Sequence, residues 1–196
     1  YGGSMGAMQV FEWVVSYPDF MKKAVAYVGS PKLTSYDLLL WQAELNAIET
    51  GHKYGAEDDD IVKTVAAIQS LVSRTPEYIA EKIQPENIDS YLNDIYKSYK
   101  NIFNSYDWAS QLRAMMAHDI SEKFGSIEGA AKNVKADMLI IVGSKDQIVN
   151  PQPAINFSKL ISSHLLILDN NCGHLAPGCE YEVFLKEIKD FLYVKN

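Results

Sequence analysis

The chain has 196 residues, of which 47% are hydrophobic and 22% charged, a composition that fits one folded domain, or one with a sizeable insertion, and argues against disordered or collagen-like chains. Its formal net charge of -7, with no Lys/Arg cluster, argues against a nucleic-acid or anionic-membrane surface and leaves small neutral or cationic ligands open. No apolar run approaches the roughly 18 residues of a membrane-spanning helix, and the two cysteines, Cys172 and Cys179, have neither C-x-x-C nor zinc-ligand spacing and are expected to be reduced thiols.

The first six residues read Tyr1-Gly2-Gly3-Ser4-Met5-Gly6. The last five fit G-x-S-x-G, in which a serine is held on a tight turn between a strand and a helix. Only Tyr1 stands ahead of the motif, so no preceding strand is visible, and on the motif alone a glycine-rich tail without chemistry stays open. After Gly6, Ala7, Phe11, Val14 and Val15 fall on one helical face while Met8, Val10 and Trp13 extend apolarity around it, which predicts a buried helix. Tyr17-Pro18-Asp19 ends it, because proline disfavours helical geometry in the residue before it. A short strand is predicted in KKAVAYVGS, closing on Gly29.

From about 31 to 133 the pattern changes to four helical stretches with no convincing strand: Leu38 to Ile48; Ile61, Val65, Ile68 and Val72; Ile88, Leu92 and Ile95; and Leu112, Met115 and Met116. An excursion of this length between two strands is expected to be a helical cap or lid. The acidic run AEDDD at 56–60 reads as the first turn of the second of these helices, where negative charge is favoured. Strands return in ADMLIIVGS (136–144) and SHLLILDN (163–170), separated by the helical PQPAINFSKLI and followed by the helical EYEVFLKEIKDFLYV. Strand, helix, strand, helix at this spacing predicts parallel strands with crossover helices, an α/β fold built from 1–30 and 134–196 with the helical segment 31–133 inserted.

A serine hydroxyl becomes a useful nucleophile when a histidine takes its proton and a carboxylate orients that histidine. Asp146 lies two residues beyond the first of the two late strands, in GSKDQIVNP, and His174 in the loop beyond the second, in NNCGHLAPG. Those are strand C-terminal ends, where catalytic groups gather in open α/β sheets. Asp169 is a rival acid that ranks below Asp146 because it sits at the strand end itself. His52 and His118 fall in the helical segment and His164 starts a strand, so none occupies the place expected of a base.

The order Ser4, Asp146, His174, with the last two each beyond a predicted strand, resembles the α/β-hydrolase superfamily. More narrowly, GGSMGAMQVFEWVVSYPD is similar to the elbow of the homoserine O-acetyltransferase branch, with Ala7 in place of a glycine. SPKLTSYDLLLWQAELNAI resembles its lid-entry segment and DWASQLRAMMAHD its last lid helix. The resemblance implies an α/β-hydrolase fold with a lid, Ser4 as nucleophile, His174 as general base, Asp146 as its partner, and the Met5 N–H as half of an oxyanion hole. It further implies no required cofactor, no metal, acetyl-CoA as a candidate acyl donor, and a small ester or acyl-CoA as substrate. Two departures concern the acceptor: Leu175 follows His174 where the branch has an aspartate, and Leu45 stands where it tends to have an arginine.

The leading expectation is therefore a serine hydrolase or acyltransferase with an acyl-Ser4 intermediate. The alternatives are a homoserine O-acetyltransferase using acetyl-CoA and a noncatalytic binding module of the same fold. Arg113 is expected to be a solvated helix residue, with an anion contact as its other reading. The resemblance places about five strands before the elbow, so the chain is expected to be the C-terminal part of a longer protein, inactive or insoluble alone. Its open sheet edges invite association, a homodimer among the outcomes. Cytoplasmic residence is expected, with a signal peptide ahead of Tyr1 left open.

Overall fold

The computed structural model describes residues 1–193. In chain order the regular elements are β1 (Gly2–Gly3), α1 (Met5–Ser16), β2 (Lys23–Tyr27), α2 (Ser35–Lys53), α3 (Asp58–Ser73), α4 (Pro76–Lys82), α5 (Ile88–Lys100), α6 (Ser105–Met116), α7 (Ile127–Ala131), β3 (Asp137–Gly143), α8 (Gln152–Leu160), β4 (His164–Leu168), α9 (Ala176–Cys179) and α10 (Tyr181–Tyr193). The four strands form one parallel sheet in the order β1-β2-β3-β4. The last three residues of the segment 134–196 lie outside the described residues.

Strand β3 shows why the sheet forms. Six of its seven residues, Met138 to Gly143, are buried, the signature of a strand covered on both faces. Alternation sends Met138, Ile140 and Val142 to one face, where they pack with Phe11 of α1 and Phe157 of α8. Leu139 and Ile141 go to the other face, with Leu168 and Ala176 and the flanking Phe184, Ile188 and Phe191 of α10. By contrast β4 is a half-exposed strand at the end of the strand order, with Ile167 47% exposed. A third cluster lies among the helices between β2 and β3, with Trp41, Ile48, Val65 and Leu112 at its centre, and reaches the sheet layer through Met8, Ile148 and Val149.

Several sequence expectations need correction. Gly2 and Gly3 are themselves a strand stub, in parallel register with Ala26 and Tyr27; glycines carry no apolar pattern, so their strand character comes from β2 alone. Helix α1 is not buried all round, because Trp13 is 45% exposed and stacks outside the core on Tyr17 and Phe20. The segment between β2 and β3 holds six α-helices where the sequence pattern predicts four; the two missed are α4, which starts at Pro76 behind a Thr75 cap and buries no residue, and the five-residue α7, which buries only Ala130, so neither has an apolar stripe to read. His118 lies beyond the end of α6 rather than on it. The acidic run does form the first turn of α3, where Asp58 also accepts hydrogen bonds from the Ser105 N–H (3.0 Å) and hydroxyl (2.5 Å) of α6.

Cys172 and Cys179 are a disulfide, not free thiols. Sparse cysteine usage says nothing about local geometry. Here the residues between them fold into a 3-10 turn (Gly173–Leu175) and the short α9, which bring the two Cα atoms to 6.5 Å, inside the range a disulfide spans.

Two stability outcomes follow. Phe157 is fully buried and meets Phe11 edge to face at 5.6 Å, so Phe157→Ala should lower the unfolding free energy by about 3–5 kcal/mol in urea titrations. Replacing both cysteines by alanine should cost about 2–3 kcal/mol, the loop-closure value for so short a loop, and thiol titration of the unreduced, denatured protein should find no free cysteine.

Candidate active site

Ser4 sits between β1 and α1 with φ 52° and ψ -120°, a left-handed conformation that a residue with a Cβ adopts only under constraint. The constraints are visible. The Ser4 N–H donates to the Tyr27 carbonyl (2.9 Å), and the Ser4 carbonyl accepts from the Ala7 (2.9 Å) and Met8 (3.2 Å) N–H groups, opening α1. Close approach on both sides demands glycine. A Cβ on Gly2 would collide with the Gly6 carbonyl, and one on Gly29 would lie 2.5 Å from the Ala7 Cβ and 2.8 Å from the Ser4 carbonyl oxygen. The Met5 and Gly6 N–H groups belong to the first turn of α1, whose leading donors have no partner within a helix. With no acidic residue in that turn, the positive end of the helix faces the serine uncompensated.

Asp146 follows β3 and is 7% exposed. Its Oδ1 accepts from the Ile148 (2.9 Å) and Val149 (3.0 Å) N–H groups, which fixes the plane of the carboxylate and leaves Oδ2 for His174. The Nδ1 to Oδ2 distance is 2.7 Å and the Nε2 to Ser4 Oγ distance is 2.9 Å. Since an ionised carboxylate only accepts, Nδ1 carries the proton and donates to Asp146, leaving Nε2 to accept from the serine hydroxyl. The three side chains picked out along the sequence are thus in one hydrogen-bonded line.

Two latches from the helical segment hold the loops that carry this line. Asp37, fully buried at the start of α2, uses Oδ2 to accept from the Thr34 N–H (2.7 Å) and hydroxyl (2.8 Å), while its Oδ1 accepts from the Asn150 N–H (2.8 Å) just beyond Asp146. At the start of α4 the Thr75 N–H (3.2 Å) and hydroxyl (3.0 Å) both donate to the Asn171 carbonyl, three residues before His174. Neither latch is visible in the sequence, because each joins positions far apart in the chain.

The rival residues are engaged elsewhere. Asp169 accepts from the Ser144 hydroxyl at 2.6 Å. His52 is hydrogen-bonded to the Ser105 hydroxyl at 2.7 Å and stacked on Tyr106, and His164 packs on Phe191. His118 donates from Nε2 to the Ser30 carbonyl at 3.0 Å, and burial holds its pKa below the ordinary imidazole range. Arg113 pairs with Glu49 at 2.8 Å on the exposed surface, and Leu45 is buried within the helical cluster.

Ser4 opens onto two hollows. One is lined by His174, Arg74, Tyr78 and the partly exposed Leu175. The other, a cavity of about 300 Å³, lies under the helices between β2 and β3 and is lined by Met5, Trp41, Glu44, Tyr99 and Trp108 among others. Glu44 is fully buried and neither carboxyl oxygen makes a hydrogen bond. Burial pushes its pKa up to about 8, against a weaker downward pull from the Trp108 indole, whose approach falls short of hydrogen-bond geometry. Sequence reasoning missed Glu44, although a signal was present: it shares the buried face of α2 with Trp41, Leu45 and Ile48, a charged residue in an apolar stripe. Among the described residues no group of three or more His, Cys, Asp or Glu side chains could hold a metal ion, and no helix is long and apolar enough to cross a membrane.

Comparison with known proteins agrees with this architecture. The chain is 26% identical to an ethyl acetate hydrolase of Pseudomonas veronii over 188 residues, covering 89% of this chain and 54% of that protein. It is 24% identical to a homoserine O-acetyltransferase of Haemophilus influenzae over 215 aligned positions, covering 97% of this chain and 60% of that protein. The chain thus spans somewhat more than half the length of these curated relatives. In three dimensions it is similar to the homoserine O-acetyltransferase of Bacillus anthracis, with a TM-score of 0.83 at 21% identity, over 99% of this chain and 59% of that one. The family described as alpha/beta hydrolase fold matches residues 1–178, and with four parallel strands, crossover helices and a serine turn at the first of them, the chain belongs to that family.

Proposed function

We propose that this chain carries the catalytic machinery of a serine ester hydrolase or acyltransferase working through an acyl-Ser4 intermediate. The observation that supports the reading is the hydrogen-bonded line from Asp146 through His174 to Ser4, with the serine at the N-terminus of α1. In this mechanism Ser4 Oγ attacks a substrate carbonyl carbon while its proton passes to His174 Nε2. The imidazolium so formed is stabilised and oriented by Asp146. Negative charge gathers on the carbonyl oxygen, and the Met5 N–H at the positive end of α1 stabilises it more than it stabilises the neutral substrate. His174 then gives the proton to the departing alcohol or thiol, leaving acyl-Ser4. Water or a second alcohol, deprotonated by the same histidine, releases the acyl group.

The relatives named above are a hydrolase and an acetyltransferase, so both fates of the acyl group belong to the proposal. Acetyl-CoA is a candidate donor, and no cofactor is required. For homoserine itself the fit is poor. Leu175 and the buried Leu45 stand where charged partners for the substrate's amino and carboxylate groups are expected, and a charged group without a partner is costly to bury. The helices of segment 31–133 act in this reading as a lid: they roof the cavity beside Ser4, and through Asp37 and Thr75 they brace the loops of Asp146 and His174. Self-association through the open sheet edge is proposed on the same footing. As to compartment, the Cys172–Cys179 bridge favours an oxidising environment over the cytoplasm expected from the sequence.

A fluorophosphonate probe applied to the complete natural protein should label Ser4, with labelling lost in Ser4→Ala; absence of labelling at Ser4 in a folded, ester-hydrolysing protein would overturn the assignment. Asp146→Asn keeps an oxygen for the Ile148 and Val149 N–H groups but cannot accept the His174 proton. It should lower kcat by about 10⁴-fold with little change in KM or unfolding midpoint.

A further inference from the structure

The cavity beside Ser4 combines features that the proposed chemistry does not use. Its lining residues include Trp41, Tyr99 and Trp108, and among them Glu44, which is fully buried, has the Trp108 indole beside it and makes no hydrogen bond on either oxygen. A buried polar group left unsatisfied costs about 1–3 kcal/mol, and native structures carry few of them, commonly for a functional reason. Acyl transfer by Ser4, His174 and Asp146 needs no further carboxyl. A carboxyl and aromatic rings on one cavity are the chemistry that receives a cation: the carboxylate supplies the countercharge and the rings supply cation–π attraction. The described residues lining the cavity include no lysine, arginine or histidine, so Glu44 is the one ionisable carboxyl or base there apart from Tyr99. The net charge of -7 acts in the same sense, drawing cations toward the surface and repelling anions.

We infer that this cavity is a specificity site for an ammonium group, and that the ester or acyl acceptor processed at Ser4 carries a basic nitrogen, with Glu44 as its counter-ion. The inference rests on the reading of Ser4 as nucleophile. On binding, the ligand arrives as its ammonium form, and Glu44, neutral in the empty cavity because of its raised pKa of about 8, releases its proton to solvent as the ion pair forms. The nitrogen can sit on the alcohol or on the acyl side of the ester, since the cavity touches the nucleophile from one side only.

Two isosteric substrate pairs distinguish these placements in the complete natural protein. Dimethylaminoethyl acetate against isopentyl acetate puts the nitrogen in the alcohol; the nitrophenyl esters of dimethylaminobutanoic and methylhexanoic acid put it in the acyl group. At least one pair should show kcat/KM higher for the amine by about tenfold or more, the size of a desolvated cation–π and ion-pair contact. Glu44→Gln should bring that ratio to about one while leaving turnover of the neutral ester within about threefold. If Glu44→Gln does not fold, the wild-type protein still decides: dimethylaminoethanol should compete with the neutral ester more strongly than isopentanol by a similar factor. Turnover of both members of each pair at equal kcat/KM, with equal competition by the two alcohols, would overturn the ammonium site and leave the Ser4 mechanism standing. Loss of all ester turnover together with absent Ser4 labelling would instead remove the catalytic reading on which the site depends.

Discussion

The backbone of Ser4 is the constraint on which the rest of the structure depends. A non-glycine residue held at φ 52° costs on the order of 1–3 kcal/mol, and such a conformation persists only where the surroundings leave the chain no other path. Here β2 holds the serine N–H, α1 begins on its carbonyl, and Gly2 and Gly29 clear the space on either side. The result is a side chain lifted off the end of the sheet with a helix N-terminus directly behind it. Relaxing the turn toward an ordinary strand or helix geometry would drop the hydroxyl out of reach of His174.

The parallel sheet turns that local strain into a site. Because β1, β2, β3 and β4 all run the same way, the loops beyond their ends gather on one edge, and residues 4, 146 and 174 meet although they lie far apart in sequence. The sheet alone does not fix the loops. Asp37 and Thr75, both from the helical segment, tie down the chain beside Asp146 and before His174, and the disulfide closes the loop that carries the histidine. The helices that roof the cavity therefore also set the geometry beneath them. Their packing energy, centred on Trp41, Val65 and Leu112, is spent partly on loop order.

How much of this was legible in the sequence depends on whether the signal was local. The strand around Ile140 announces itself because both its faces are buried, and α8 and α10 show through their helical spacing. Asp146 and His174 stand out because each lies in a loop just beyond the C-terminal end of a predicted strand, whereas Asp169 sits within the strand end itself and the other histidines lie elsewhere. Gly2 and Gly3 are a strand only through their partner β2, and no pattern within two glycines can say so. The Cys172–Cys179 bridge depends on a turn that composition does not describe. Glu44 was hidden for a different reason: its place beside Trp41, Leu45 and Ile48 can be counted, but that Trp41 and Glu44 line a cavity while Leu45 and Ile48 pack against other helices follows only from how the helices come together.

The proposed chemistry passes an acyl group through Ser4, and trapping that intermediate tests it most directly. Rapid quenching of the complete natural protein during turnover of nitrophenyl acetate, followed by mass mapping of its peptides, should find a single acetyl group on the peptide bearing Ser4 within the first turnover. Steady release of acetate with no acetyl group on that peptide, or an acyl-enzyme that survives Ser4→Ala unchanged, would contradict it.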